Sequence, residues 1–455
     1  MDGTGKLTTG YLSYFNLDKK YSAFTTISKQ QKIFLSLVLV ILITFLSLNF
    51  LLTLKIVFTL IIGFYFFDLL FNFFLIYRSF VKDPEIRFSE AEILNLNRDW
   101  PTYTIFCPLY KEWEVLPQFL KAIQNIDYPK DKLQVLLLLE EDDIKTVSEA
   151  SMMNLPPYLE IVVVPHSKPK TKPKACNYGL QFARGEYCVI YDAEDVPDKY
   201  QLKKAVMAFE KLGHKTGCVQ AKLSFYNAHQ NLLTKLFAAD YSLWFNLVLT
   251  GLQSINAPIP LGGTSNHFKT SVLKNLGAWD SFNVTEDADL GIRLAKNGLT
   301  TAIIDSVTME EATSGVLNWF KQRTRWIKGY LQTYLVHTRE FKVRSVIELK
   351  SWLCFQIIVG GKLLSLFINP LMWMLTLVYF AFRATLGPVI ETLFFTPVFY
   401  AGVISLVLGN FLYMYYLMLG LTRAKEWNLI IFALVTPIYW LMISISAFMA
   451  IHELI

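Results

Sequence analysis

An apolar run in the middle of the chain ends in a cluster of acids. The stretch VIYDAEDVPD, residues 189–198, places Asp192, Glu194, Asp195 and Asp198 within seven positions. At the end of a strand covered on both faces, such side chains project to the edge where α/β sheets bind ligands. Close carboxylates repel unless a cation lies between them, and Mg²⁺ or Mn²⁺ is usually held by one or two carboxylates plus substrate phosphates. The stretch therefore predicts a metal site at Asp192 and Glu194.

A less specific interpretation of these acids stays open. A carboxylate cluster ahead of a proline is often a solvated loop or a helix cap. For Asp198, which directly follows Pro197, the cap is the preferred interpretation, and it predicts the N-terminus of a helix over residues 199–212.

Other stretches carry side chains suited to the same kind of ligand. Lys172 and Lys174 in TKPKACN are suited to a diphosphate, although ordinary surface charge is an equal alternative. The acids EEDD at 140–143 end an earlier apolar run and form a second acidic tip. Glu286 and Asp287 in NVTEDADLGIRL lie ahead of a helical stretch.

A basic, aromatic helix follows further along the chain. In NWFKQRTRWIKGY, residues 318–330, the spacing i, i+3, i+4 places Gln322, Arg325 and Trp326 on one face. Trp and Arg also favour the membrane surface, so the helix could simply be an interfacial anchor. Anchoring and contact with a substrate are compatible.

Short apolar runs bounded by Pro, Gly or charge predict the strands that position these residues. The predicted strands are 103–107, 134–140, 159–165 and 187–193, and the stretches with helical spacing are 112–126 and 199–212. Repeated β-α-β order predicts a mostly parallel sheet with ligands at the carboxyl ends of its strands.

Hydrophobicity is concentrated at the two ends of the chain, whose mean hydropathy is +0.36. Residues 33–54 carry no charge and 56–77 carry only Asp68, so each could cross a hydrocarbon core of about 30 Å as a helix. Only Lys55 separates them, which predicts a helical hairpin. The first run is too long for a signal peptide and lacks a small-residue cleavage site. Lys and Arg on both flanks place those flanks in the cytosol.

The C-terminal part is apolar over residues 351–382, 394–421 and 429–451. Asn369-Pro370 interrupts the first of these, so it predicts either an interfacial helix and one span or two short spans. Five or six spans in total remain open. Five cysteines without a CxxC pair indicate buried thiols in a reducing cytosol rather than disulfides.

These patterns divide the chain into six segments. They are a cytosolic tail (1–32), a transmembrane hairpin (33–77), a linker (78–99), a catalytic α/β domain (100–311), interfacial amphipathic helices (312–350) and a C-terminal transmembrane region of three to four helices (351–455).

The motifs, in this order, resemble those of membrane-integrated family-2 glycosyltransferases, similar to bacterial cellulose and hyaluronan synthases. The matching elements are DAE (192–194) for the D-x-D-type element, TED (285–287), and QRTRW (322–326) for Q-x-x-R-W. The resemblance covers residues 103–330. It implies a cytosolic α/β domain of the GT-A type, Rossmann-like with a mostly parallel sheet, inserted between α-helical transmembrane segments.

The resemblance also implies roles. Asp192 and Glu194 would hold Mg²⁺ or Mn²⁺ on the nucleotide diphosphate, and Asp287, beside Glu286, would be the general base that deprotonates the acceptor hydroxyl. Trp326 would hold the acceptor sugar. The residues implied to contact the nucleotide sugar are Tyr110, Glu112, Glu140, Asp142, Lys174, Gln322 and Arg325. Among these, Tyr110 would lie against the base, and Glu140, Glu141 or Asp142 would contact the nucleoside. Gln322 and Arg325 would hold the departing diphosphate.

Two positions depart from the family pattern. The second metal position is usually Asp, whereas this chain has Glu194, with Asp195 as a candidate to share its duty. Many members have Asn before the acid that ends the first-strand motif, whereas this chain has Lys111 before Glu112.

The leading functional interpretation is a processive, inverting synthase that extends a β-linked polysaccharide from a UDP-sugar and exports it. The alternative adds a single sugar to a membrane lipid carrier or glycolipid. A transporter or inactive scaffold would instead place ionisable groups inside its spans, where only Asp68 and Lys362 are candidates. The expected partners are the nucleotide-sugar donor, a glycan acceptor, the lipid bilayer, and accessory export proteins or further copies of the chain, with no nucleic acid. The expected location is the cell (inner or plasma) membrane, crossed several times.

Overall fold

The structure, a computed structural model, describes residues 17–340 and 345–454. The chain divides into two compact units. The first unit comprises the described residues of Met1–Phe24 with Asp83–Ala228 and Leu252–Ala312, and the second comprises the described residues of Thr25–Lys82, His229–Gly251 and Thr313–Ile455.

Helices occur in both units. Those within the described residues are α1 (Lys29–Leu48), α2 (Phe50–Val81), α3 (Glu90–Leu94), α4 (Leu116–Asn125), α5 (Ile144–Met152), α6 (Lys172–Gly179), α7 (Gln201–Leu212), α8 (Leu232–Leu243), α9 (Leu249–Ser254), α10 (Thr270–Asn275), α11 (Glu286–Lys296), α12 (Val316–His337), α13 (Val346–Phe355), α14 (Lys362–Ala381), α15 (Gly387–Thr392), α16 (Thr396–Arg423) and α17 (Thr436–Leu454).

The first unit contains one mixed sheet. Its strands are β1 (Tyr103–Leu109), β2 (Leu133–Glu140), β3 (Leu159–Val164), β4 (Tyr187–Ile190), β5 (Val196–Pro197), β6 (Thr216–Phe225), β7 (Asn266–Lys269) and β8 (Thr300–Glu310). They are ordered β3-β2-β1-β4-β7-β6-β8-β5. The pairs β1–β2, β1–β4, β2–β3 and β6–β8 are parallel, whereas β7 is antiparallel to both of its neighbours and β5 to β8.

The central strands form as the sequence predicts because they are buried on both faces. Every residue of β2 is buried, and β1 is buried except for its sixth residue. Parallel strands whose two faces are covered read as continuous apolar runs, which is the pattern of these segments. β1 pairs in register with β2 from Tyr103↔Leu133 to Leu109↔Leu139, and with β4 from Tyr103↔Tyr187. The carboxyl ends of the three strands therefore lie at one edge of the sheet.

Two local predictions for this unit need correction. The predicted helix over 112–126 begins only at Leu116, after a 3₁₀ turn over Trp113–Val115. Asp198 does not cap α7, whose N-cap is Tyr200 without a side-chain hydrogen bond. The Asp198 carboxylate instead accepts the N–H of Tyr200 at 2.8 Å and pairs with Lys204 at 2.9 Å. Asp198 therefore stabilises a short turn before α7 instead of capping the helix itself.

The second unit is formed by apolar helices. Six helices of the described residues are long and apolar enough to cross a membrane: Lys29–Leu48, Phe50–Val81, Leu232–Ser254, Val346–Ala381, Thr396–Arg423 and Trp427–Leu454. Leu232–Ser254, which the sequence analysis assigns to the catalytic domain, is largely buried, whereas the first two expose most of their apolar side chains.

Helix boundaries in the second unit differ from the predicted ones at two places. The hairpin breaks at Asn49, whose side chain accepts the N–H of Leu52 at 3.0 Å, and Lys55 lies inside α2. Pro370 does not divide the first C-terminal run, because α14 continues through it. A side chain that caps an N-terminus fixes a break more firmly than an isolated charge in an apolar run.

Candidate active site

The acids that follow β4 form a tight turn at the carboxyl end of the sheet. The N–H of Asp195 donates to the carbonyl of Asp192 at 3.1 Å, and the N–H of Asp192 donates to Oδ2 of Asp195 at 2.8 Å. The same Oδ2 accepts the hydroxyl of Thr264, whereas Oδ1 is buried without a hydrogen-bond partner among the described residues. Burial, followed by repulsion from Asp192, raises the pKa of Asp195 well above its usual range.

Lys172, the first residue of α6, brings a positive charge to this turn. Its Nζ lies 2.5 Å from Oδ1 of Asp192 and donates to the carbonyl of Gly263 at 2.8 Å. Burial by itself would lower the pKa of Lys172, but the charges of Asp192 and Glu286 outweigh it and raise the pKa. The ammonium therefore stays charged beside Asp192, where a cation relieves the repulsion among the acids.

Glu286 and Asp287 begin α11 on the other side of Gly263. A Cβ added to Gly263 would lie 3.6 Å from Oδ2 of Asp287, and Oδ1 of Asp287 accepts the N–H of Ala288 at 2.7 Å. Burial raises the pKa of both carboxyls, and for Glu286 repulsion from Asp287 adds to it. A carboxylate whose pKa is raised in this way can accept a proton near neutral pH.

Glu194, within the turn, and two carboxyl groups outside it, Glu112 and Glu310, interact with these acids. Burial, then repulsion from Glu194 and Asp192, raises the pKa of Glu112 to about 7. The pKa of Glu194 is raised by burial and then by Asp192, and that of Glu310 is raised well above its usual range by burial and then by Asp195. So many acids in one place are costly when ionised, and a divalent cation would offset that cost.

The predicted nucleotide-binding residues fall into two groups at the ends of β1 and β2. Tyr110 donates its hydroxyl to Asp142 at 3.4 Å, and Lys170 pairs with the same carboxylate while its Nζ lies 5.6 Å from the Tyr110 ring centroid. Glu140 and Lys174 instead pair with each other, and their side chains are 5% and 0% exposed. Tyr110 and Asp142 thus present an exposed edge, whereas Lys174 neutralises a buried acid.

The remaining predicted residues lie on α12, in the second unit. Arg325 is exposed, and Gln322 accepts the hydroxyl of Thr313 at 3.2 Å. The Trp326 ring lies 5.9 Å from that of Phe237 and 6.4 Å from that of Tyr241. Trp326 is therefore a member of an aromatic cluster within this unit.

The acids of the turn fit a divalent cation of the kind that carboxylates hold together with phosphate oxygens. The buried Oδ1 of Asp195 without a partner is a free oxygen ligand of the kind that Mg²⁺ prefers. Over residues 17–340 and 345–454 no three His, Cys, Asp or Glu side chains form a ready-made metal cage. Mg²⁺ is commonly held by only one or two carboxylates together with substrate phosphates, so the two observations agree.

The prediction from sequence missed parts of this arrangement. Lys172, rather than Lys174, reaches the acids, because α6 turns Lys172 toward Asp192 and Lys174 into the core. Glu310 was not proposed at all. A sequence signal for Glu310 did exist, because it is an acid at the carboxyl end of a strand, β8, which runs parallel to β6.

A mixed α/β sheet with acids gathered at the carboxyl ends of its parallel strands is typical of the class of α/β domains that bind ligands at that edge. The sequence profile of the glycosyltransferase like family 2 matches residues 101–329. The chain therefore belongs to this family, and its first unit has the GT-A-like, Rossmann-type fold that the sequence predicts.

Curated relatives are similar over the same region. A probable glycosyltransferase, YdaM, of Bacillus subtilis (strain 168) is 26% identical over 249 residues, 54% of this chain and 59% of the relative. A beta-monoglucosyldiacylglycerol synthase of Nostoc sp. (strain PCC 7120) is 28% identical over 241 residues, 52% of this chain and 50% of the relative. The chain thus spans little more than half the length of these relatives.

Among solved structures, the mannosyltransferase PcManGT from Pyrobaculum calidifontis in complex with GDP-Man and Mn²⁺ is similar. The identity is 20% and the TM-score 0.49, over 85% of this chain and 99% of that chain.

Proposed function

We propose that the chain is an inverting glycosyltransferase that moves a sugar from a nucleotide sugar, with a UDP-sugar as the first candidate, to an acceptor hydroxyl. The observation that carries the proposal is the arrangement around Gly263: Lys172 bonds to its carbonyl and to Asp192, and Asp287 lies beside its α-carbon. A cationic group, a metal-type acid and a base are thereby held within one small region of the first unit.

The proposed chemistry needs three things from these residues. Asp287 accepts the proton of the acceptor hydroxyl as its oxygen attacks the anomeric carbon, and the bond from that carbon to the diphosphate oxygen breaks with inversion. Lys172 stabilises the negative charge that develops on the departing diphosphate. A Mg²⁺ or Mn²⁺ ion held by Asp192, Glu194 and Asp195 would supply further positive charge to the same diphosphate.

We propose that the donor's nucleoside binds at the exposed edge formed by Tyr110 and Asp142. Glu112 and the buried pair of Glu140 and Lys174 are proposed as further residues of the donor site. An aromatic ring offers a flat face to a base, and a carboxylate accepts hydrogen bonds from sugar hydroxyls. Gln322 and Arg325 are proposed to hold the diphosphate, because an exposed guanidinium is well suited to phosphate oxygens.

For the acceptor we propose the end of a growing polysaccharide, held by the indole of Trp326. The supporting observation is that Trp326 is only partly buried where it packs against Phe237 and Tyr241. An indole in such a position can stack on the apolar face of a sugar ring. We place the protein in a cell membrane, crossed by the apolar helices of the second unit, with the first unit in the cytosol.

A second acceptor class has its own support. The similarity to a beta-monoglucosyldiacylglycerol synthase favours transfer of one sugar to a membrane lipid such as diacylglycerol. Both candidates use the same donor chemistry. They differ only in the acceptor molecule that carries the attacking hydroxyl, which is a polysaccharide in the first and a membrane lipid in the second.

One experiment tests the donor chemistry and separates the acceptors. Purified protein in lipid nanodiscs is incubated with Mn²⁺ or Mg²⁺ and with radiolabelled UDP-glucose, UDP-N-acetylglucosamine, UDP-galactose or GDP-mannose, with and without diacylglycerol. Nucleoside diphosphate release identifies the donor. Label in a water-soluble product that elutes as a polymer supports the polysaccharide acceptor, whereas label that partitions as a single-sugar lipid supports the second candidate. Failure of all donors to transfer sugar would contradict the proposed function.

A further inference from the structure

The first described residues of the chain, residues 17–24, are called here the N-terminal strap. Asp18 accepts the N–H of Lys20 at 3.1 Å and so caps the single 3₁₀ turn over Lys19–Tyr21. Directly after that turn, Ser22 and Ala23 are only 8% and 4% exposed. The burial of these two residues shows that this part of the strap is packed against other residues of the protein.

The strap is anchored on Asp280. The N–H of Ala23 donates to Oδ2 of Asp280 at 2.6 Å, and the hydroxyl of Ser22 donates to Oδ1 at 3.1 Å. The N–H of Phe282 donates to the same Oδ1 at 3.1 Å, and Asp280 is 2% exposed. Both oxygens of a buried carboxylate are thus satisfied, one of them by a backbone N–H from the strap.

Two apolar contacts extend this anchor. The ring of Phe24 meets that of Phe282 edge-on, with centroids 4.9 Å apart. Gly277 has φ +78°, and a Cβ added there would lie 3.3 Å from Cα of Leu17. The strap therefore covers one side of the segment over residues 277–282.

The same segment is also held by α6 and by Thr171, the residue before it. Asn177 donates through Nδ2 to the carbonyl of Trp279 at 2.8 Å and accepts the N–H of Trp279 at 3.1 Å. The hydroxyl of Thr171 donates to the carbonyl of Ser281 at 3.0 Å. Thr171 immediately precedes Lys172, so the same helix start holds both the segment and the lysine that pairs with Asp192.

The segment leads directly to the proposed base. The N–H of Asn283 donates to the carbonyl of Asp280 at 3.2 Å, and Oδ1 of Asn283 accepts the N–H of Thr285 at 3.1 Å. Thr285 is the N-cap of α11, whose second residue is Asp287. A shift at Asp280 is therefore passed through a short chain of hydrogen bonds to the start of α11.

We propose that Asp280 is a positioning residue for the glycosyl transfer, and that the N-terminal strap fixes Asp287 in place by binding Asp280, while Asn177 and Thr171 hold the neighbouring residues Trp279 and Ser281. The inference rests on the proposed function, because it gives Asp287 the role of base. A displacement of the base by about 1 Å can cost about 100-fold in rate.

The test compares two variants that break the anchor from opposite sides. Ala23→Pro removes the N–H that donates to Asp280 without altering any residue of the base-bearing segment, and Asp280→Ala removes the acceptor. Both are assayed as full-length protein in nanodiscs, by hydrogen exchange of the peptides that cover residues 279–289 and by kcat and donor KM. We expect exchange in these peptides to be about tenfold faster and kcat to fall about tenfold in each variant. Binding of UDP with Mn²⁺ should change by less than about twofold, because the donor contacts are untouched.

Asp18→Asn is the matched control. It removes the charge of an acid in the same strap that pairs with Lys20 and does not touch Asp280's anchor at Ala23, so exchange over 279–289 and kcat should stay as in the unaltered protein. If Ala23→Pro does not fold, Ser22→Ala takes its place with an expected change of about threefold. A double variant of Ala23→Pro and Asp280→Ala should be no worse than either single one, since both break the same contact.

Two results would overturn the inference. Unchanged exchange over 279–289 in the strap variant would mean that the strap does not hold the segment. Faster exchange with an unchanged kcat would mean that the segment does not position the base. Absence of transfer by the unaltered protein with every donor would instead contradict the proposed function, and the exchange data would still decide whether the strap holds the segment.

Discussion

The ammonium of Lys172 lies 2.5 Å from the carboxylate of Asp192, across twenty positions of sequence that include the whole of α6. Asp192, which the sequence predicts as a metal ligand, is therefore paired with a lysine. The pair places a positive charge beside the acidic turn, where it offsets the repulsion among the carboxylates.

Lys172→Met should weaken donor binding while leaving the fold intact. The methionine keeps the length and apolar stem of the side chain but removes the charge that faces Asp192 and the diphosphate. A charge-assisted hydrogen bond contributes about 1.5–3 kcal/mol, so we expect the Kd for UDP with Mn²⁺ to rise about 10- to 100-fold in calorimetry. Lys168→Met, an exposed lysine four positions earlier, is the control and should bind normally. If Lys172→Met and Lys168→Met bind UDP with equal affinity, Lys172 does not contribute to donor binding.

Asp287→Asn should abolish turnover but spare donor binding. The asparagine retains the size of the side chain but cannot accept the acceptor's proton, and loss of a general base typically costs about 10²–10⁴ in rate. Thermal stability should rise slightly, because burial disfavours the ionised carboxylate that is removed. Asp289→Asn is an instructive contrast, since it breaks the buried pair with Arg293 and should lower the melting temperature. Retention of more than about a tenth of normal turnover by Asp287→Asn would rule out its role as base.

On the acidic side, activity should begin to fall at a pH above the usual pKa of an aspartate. Burial raises the pKa of Asp287, so its ionised, proton-accepting form is lost as the pH falls through that raised pKa and is fully present above it. We expect log(kcat/KM) to fall at a higher pH than the value of about 4 that is typical of exposed Asp. The residual activity of Asp287→Asn should lack this limb. A limb near pH 4 in the unaltered protein would argue against a buried base.

Removal of divalent cations should stop the reaction. Excess EDTA is expected to abolish nucleoside diphosphate release, and Mn²⁺ or Mg²⁺ to restore it, because the acids of the turn need a counter-charge to receive a diphosphate. Asp192→Ala should weaken UDP binding only when metal is present. In a thermal melt, UDP with Mn²⁺ should stabilise the protein more than UDP alone. Full activity in excess EDTA would refute a metal at Asp192 and Glu194.

Trp326 distinguishes an acceptor site from a membrane anchor. If its indole holds the acceptor sugar, Trp326→Ala should leave melting temperature and UDP binding unchanged and shorten or abolish the polymer. If the side chain only packs, the same variant should first lower stability through lost contact with Phe237 and Tyr241, and Trp326→Phe should restore it. Stability, nucleotide binding and product length are compared in one detergent preparation. Normal polymer from Trp326→Ala would remove the best support for processive synthesis.

Much of the first unit follows from local sequence. The strands β1, β2, β3 and β4 lie where the apolar runs predict them, and Asp192, Glu194 and Asp142 lie after strand ends as expected. This works because a strand buried on both faces must be continuously apolar, and because parallel strands place their carboxyl ends at one edge. The α/β class of the fold follows from the same features, whereas the antiparallel placement of β7 and β5 does not, and the resemblance to the family depends on the motifs DAE, TED and QRTRW.

Only the tertiary structure determines which charged side chains form ion pairs with each other. Nothing in TKPKACN distinguishes Lys172 from Lys174, yet one reaches Asp192 and the other is sealed in the core against Glu140. The burial of Leu232–Ser254, the orphaned oxygen of Asp195 and the contact of Ala23 with Asp280 are equally invisible in the sequence. Residue type and spacing specify secondary structure because backbone preference and hydrophobic periodicity act over a few positions. Pairing between side chains tens or hundreds of positions apart depends on how helices and strands pack, which no local pattern encodes.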